Sequence, residues 1–70
     1  MPKLHSSDQV IAVLRRRGFV FVAQKGSHMK FRKLGKLVLT AIVPARRKEI
    51  PLGTFRSILR QARLDEADFS

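Results

Sequence analysis

Between Gly18 and Pro44 the chain leaves room for three short strands and little else, and this constrains its fold more than any other feature. Phe19-Val20-Phe21-Val22-Ala23 is a β-branched and aromatic run, the composition that fits a pleated surface. Lys25-Gly26 predicts a turn into a second strand over residues 28–33. Leu34-Gly35-Lys36 predicts another into a third strand from Leu37 to Val43, which Pro44 ends. Connections this short join successive strands antiparallel. The expected sheet is a three-stranded meander.

Helical patterns flank it. Ser6 is placed as an N-cap and Gln9, three residues on, as the other half of a capping box. Val10, Val13 and Leu14 then share one stripe at helical spacing, with Ile11 on its flank. Arg15-Arg16-Arg17 suit the negative end of the helix dipole, Arg17 extending outward past the stripe, and Gly18 stops the helix. Ala45 to Ile50 is a basic loop. Pro51 opens a second helix, whose Phe55, Ile58, Leu59 and Ala62 face the core while Arg56, Arg60 and Arg63 line its flank. Leu64 to Ser70 is expected to form a short turn capped by Asp65, with Phe69 folded back. The order is α-β-β-β-α, an α+β fold with both helices on one face of the sheet and the other face wet. That order resembles double-stranded RNA-binding domains, an analogy of fold that carries no function by itself.

Seventy residues make one domain, 1–70, near the lower limit for a chain that folds alone. The chain has no cysteine, which excludes disulfides and thiolate metal sites. Met1-Pro2-Lys3-Leu4-His5 begins no apolar run of the signal-peptide kind, and no stretch approaches the roughly 18 apolar residues of a membrane helix. A cytoplasmic protein is expected, without membrane attachment.

Charge narrows the partners. Residues 1–64 hold 15 Lys and Arg against Asp8 and Glu49, a net +13, while Asp65, Glu66 and Asp68 crowd the last six residues. A field of that size attracts nucleic acid or an acidic protein.

The chemistry centres on Gly26-Ser27-His28 and the alternating run behind it. Strand side chains alternate, so Met29 and Phe31 turn toward the helices while His28, Lys30 and Arg32 turn onto the open face. Histidine takes and gives a proton near neutral pH. His28 is therefore a candidate base for a ribose 2′-hydroxyl, with Lys30 and Arg32 holding the scissile phosphate. No metal or other cofactor is expected. Ser27 lies on the opposite side of the strand from His28, which makes it a turn hydroxyl rather than a nucleophile. Gly26 supplies a positive φ or room for a phosphate at its N–H. Lys25, Gly26, Ser27, Lys30, Arg32, Lys33 and the Arg46-Arg47-Lys48 loop form the expected RNA-binding set. The plain alternative is that His28 merely begins a strand.

Ser6…Leu14…Gly18-Phe19, Gly26-Ser27-His28, Val43-Pro44 and the segment from Gly53 to Ala62 together resemble the HicA, or YcfA-like, toxin family, over nearly the whole chain. The resemblance implies the toxin of a type II toxin–antitoxin pair. It implies a small mRNA interferase of double-stranded-RNA-binding-like fold, with His28 in the catalytic position and a HicB antitoxin as partner. Many relatives carry Pro-x-His after the third strand, where this chain has Pro44-Ala45-Arg46. Arg46 supplies charge there but no second imidazole. Two other readings stay open: a noncatalytic RNA-binding module of the same fold, and an interaction domain serving only an acidic partner.

Overall fold

The computed structural model describes residues 3–69; Met1, Pro2 and Ser70, and the expectations that fall on them, lie outside the described residues. Helix α1 runs Ser7–Arg16 and strand β1 Val20–Lys25; β2 is His28–Lys33, β3 Leu39–Pro44 and α2 Leu52–Ala62, before a short 3₁₀ turn at Glu66–Phe69. The sheet is antiparallel with strand order β1-β2-β3.

The start of α1 follows its sequence closely. Ser6 Oγ accepts from the Gln9 N–H at 3.1 Å and Gln9 Oε1 accepts from the Ser6 N–H at 2.8 Å, closing the capping box on two donors that no helical carbonyl can reach. Gly18, at φ 95°, follows the Arg17 cap. Arg17 does more than reach solvent: its guanidinium pairs with Asp68 and so ties the end of α1 to the C-terminal turn. Pro51 sits one residue ahead of α2 as its N-cap.

Val10 and Leu14 from α1, and Phe55, Ile58, Leu59 and Ala62 from α2, close over Phe31, Ala41 and Val43 of the sheet, with Phe19 and Ile50 filling the ends of the core. Phe31 is wholly buried and Met29 packs against the same core, as the alternation predicts. At the closed end of the core, His5 stacks on Phe55 with centroids 4.8 Å apart, and Phe69 meets Phe55 edge-on at 5.0 Å.

Several boundaries differ from the sequence reading. β1 begins after Phe19, which is buried ahead of the strand, and runs on through Gln24 to Lys25. The turn is therefore Gly26-Ser27, with φ 59° at Gly26 alone, the arrangement of a two-residue hairpin with glycine first. β3 starts at Leu39, because Leu37 and Val38 belong to an exposed five-residue loop. The C-terminal turn is capped from the other direction: the Asp68 carboxylate accepts from the Asp65 N–H at 2.8 Å, while Phe69 folds back as expected.

Candidate functional site

His28 is the first residue of β2, exposed, with Lys25 opposite it on β1 and Pro44 opposite it on β3. Its backbone is held on both sides. Gln24 Nε2 donates to the Gly26 carbonyl at 3.0 Å within the turn. The Ala45 N–H donates to the Ser27 carbonyl at 2.7 Å and extends the β2–β3 pairing past His28. An imidazole on such a strand end is aimed by the sheet rather than by a mobile loop.

Lys25 reaches this face through an irregularity. Phe21 pairs with Phe31 and meets its ring edge-on at 5.8 Å, so it lies on the helix side. Strict alternation from Phe21 would send Ala23 and Lys25 to that side too. The register instead slips between Phe21 and Ala23, leaving Val22 as the extra residue of a β-bulge. Ala23 then pairs with Lys30 and Lys25 with His28, and residues paired directly across strands project to the same face. The result is a shallow depression of about 330 Å³ lined by Ala23, Lys25, His28, Lys30 and Ile42. Its floor is small and apolar and its rim carries the imidazole and two ammonium groups. The described strands and turns from residue 20 to 44 contain five Lys and Arg and no acid.

The other expected residues divide by position. Arg32 shares the open face, paired with Val20 and Thr40, and its buried Nε has no hydrogen-bond partner. It stands four residues from His28, about 13 Å along an extended strand, and does not line the depression. Lys33 lies on the helix side of the sheet, its aliphatic stem beside Gly18. Ser27 is an exposed turn residue. Arg46 follows directly on Ala45 and has φ 57°, a left-handed conformation that residues with a Cβ adopt at a cost of about 1–2 kcal/mol. There the chain turns away from the sheet, and Arg46, Arg47 and Lys48 line a second, separate cleft with Ser6, Ser7 and Asp8 at the start of α1.

Ser7 organises that corner, and the sequence reading missed it. Its side chain is buried; Oγ donates to the Pro44 carbonyl at 2.5 Å and accepts from the Arg47 N–H at 2.9 Å. Its own N–H donates to the Arg47 carbonyl at 2.9 Å. The neighbouring serine at the N-cap hid this role: two adjacent serines carry one visible helix-start signal. Ile42 and Ala23 gave no signal either, since nothing in their identity marks a floor.

A family model described as HicA toxin of bacterial toxin-antitoxin matches residues 7–64 of the 70. The chain belongs to the HicA toxin family. The match runs from the buried Ser7 to the end of α2 and takes in all three strands, so it covers every residue of the depression. Membership makes the chain a toxin of a toxin–antitoxin pair and implies an antitoxin partner. A search of curated proteins returns no match to this HicA family member. No helix among the described residues is long and apolar enough to cross a membrane.

Proposed function

We propose that this toxin is an endoribonuclease, an mRNA interferase, in which His28 acts as general base. The observation that carries this reading is the exposed His28 imidazole on a rigid strand, flanked by Lys25 and Lys30 over a small depression on an acid-free face. His28 takes the proton of a ribose 2′-hydroxyl; O2′ attacks the adjacent phosphorus and the bond to O5′ breaks. The products are a 2′,3′-cyclic phosphate and a 5′-hydroxyl, the leaving oxygen taking a proton from water. Lys25 and Lys30 stabilise charge that builds on the phosphate oxygens. Arg32, farther along β2 on the open face, holds the RNA backbone beyond the scissile position. Gly26 and Ser27 form the turn that leads into the strand, and Arg46, in the neighbouring cleft, adds to the positive field. Inhibition by a HicB-like antitoxin completes the reading.

Purified wild type and His28→Ala, compared on the same RNA, test the assignment. Loss of cleavage with retained RNA binding supports it, and equal cleavage removes it. A second reading has an observation of its own: Arg46 stands where many relatives carry a histidine, leaving one imidazole on this face among the described residues. On that reading the chain binds RNA without cutting it, and wild type itself shows no cleavage.

A further inference from the structure

We propose that the antitoxin binds the free edge of β1, adding an extended, acidic segment as a fourth strand beside Val20–Lys25. The proposal rests on the toxin–antitoxin pairing that family membership implies, and not on the cleavage chemistry.

A three-stranded sheet of order β1-β2-β3 has two edges, and this molecule treats them differently. On β3 the outward-facing Ile42 N–H is taken up by Gln61 Oε1 at 2.9 Å, a side chain reaching over from α2. That contact satisfies an edge donor which would otherwise seek another strand. No such contact from outside the sheet reaches β1 among the described residues. All six residues of β1 are exposed, and three are large and apolar: Val20 at 59%, Phe21 at 46% and Val22 at 42%. The bulge at Val22 is the one protective device on this edge, and Lys25, at the far end, its one charge. An edge with free amides and carbonyls beside an apolar stripe is the surface that strand addition uses, through main-chain bonds for affinity and alternate side chains for specificity.

Charge selects the occupant. A second copy of the chain would bring its own +10. It would do so at about 4.8 Å strand spacing, inside a screening length of about 8 Å at physiological salt. Like charge at that distance opposes self-pairing. An RNA strand has no amide ladder to offer and would set phosphates against Val20 and Phe21. An acidic polypeptide segment satisfies the edge amides and the apolar side chains, and its charge meets Lys25 on β1 and Lys30 and Arg32 on the neighbouring strand. Docked there, it lies one strand away from His28.

The test uses the full chain carrying His28→Ala, which permits expression, and the antitoxin that restores growth when co-expressed with wild type. Amide hydrogen exchange of the free chain is compared with that of the complex. The amides from Val20 to Gln24 are expected to slow at least tenfold on binding; unchanged exchange there overturns the proposal. Val22→Asp, outside the depression, is expected to weaken antitoxin binding at least tenfold while the chain stays folded. Undiminished antitoxin affinity in folded Val22→Asp overturns it, as does a dimer of the chain alone that this substitution dissociates. Growth arrest by wild type, and its relief by the antitoxin, test the toxin reading separately.

Discussion

Lys25 and His28 face each other across the Gly26-Ser27 turn, on the same side of the sheet, because Val22 bulges out of β1 and shifts every later residue of that strand by one place. Without the bulge, Lys25 would point at the helices and Gln24 would stand opposite His28. The site is thus assembled by a single extra residue with no chemical role of its own. A bulge of this kind is a device for re-aiming side chains. The cation it delivers is nearer to His28 than Arg32, which lies on the same strand.

His28→Ala is expected to lower the rate of RNA cleavage by a factor of about 10²–10⁴, the contribution of a positioned acid–base group. Growth arrest on induction should vanish with it. The side chain is exposed and has no core contact, so stability should change by under about 0.5 kcal/mol. Thermal unfolding of the two proteins beside a cleavage time course checks both halves.

A substrate with 2′-deoxyribose immediately before the scissile phosphate is expected to resist cutting there while binding normally. The attacking hydroxyl is missing and His28 has no proton to remove. Cleavage of the all-ribose substrate should persist in excess EDTA and leave a cyclic phosphate end, resolved by mass. A 3′-hydroxyl product would overturn the proposed attack.

Affinity for single-stranded RNA should fall with salt at about −0.7 per phosphate contacted on a log–log plot, giving a slope near −3 to −4 for roughly four to six contacts. Lys30→Glu with Arg32→Glu should flatten that slope. Both side chains lie on the face opposite Phe31 and the helices, so the far-ultraviolet spectrum should not move. An unaltered slope would show that the RNA follows another surface.

Ser7→Ala leaves the Pro44 carbonyl and the Arg47 N–H without their partner in a buried corner, a loss of about 1–3 kcal/mol. For a domain of this size that is a fall of several degrees in melting temperature, at about 4–8 °C per kcal/mol. Because Pro44 pairs with His28, cleavage should weaken more than RNA binding does. Calorimetry and steady-state kinetics separate the two effects.

Arg46→His places an imidazole two residues beyond the strand partner of His28. Histidine tolerates the left-handed backbone of this position better than most side chains, so the variant should fold as wild type does. Its cleavage rate is expected to rise several-fold if one imidazole serves as base and the other protonates the leaving oxygen. An unchanged rate would mean that His28 works with solvent alone.

Local rules settled most of what was legible early. The capping box at Ser6 and Gln9, the stop at Gly18, the stripe Phe55-Ile58-Leu59-Ala62 and the inward Phe31 each follow from a period or a cap that spans a few residues. The charge of residues 1–64 and the isolation of Asp65, Glu66 and Asp68 are likewise present in the bare order of letters. So is the outward direction of His28 and Lys30, since alternation along one uninterrupted strand needs no partner.

Tertiary structure decided the rest. The bulge at Val22 arises from fitting two strands to a common core, with Phe21 against Phe31 on one side and Lys25 against His28 on the other, and no letter in Phe21-Val22-Ala23 announces it. Ser7 became a buried clamp only when the loop carrying Arg47 folded over the start of α1. Gln61 closes the β3 edge because α2 packs on that strand, and β1 is left open because no helix lies beyond it. The Ser7 and Gln61 contacts join residues 19 to 40 positions apart, and they depend on where the helices come to rest. A sequence fixes what each short segment prefers; which edge stays bare and which cation meets the histidine is set by packing the segments together.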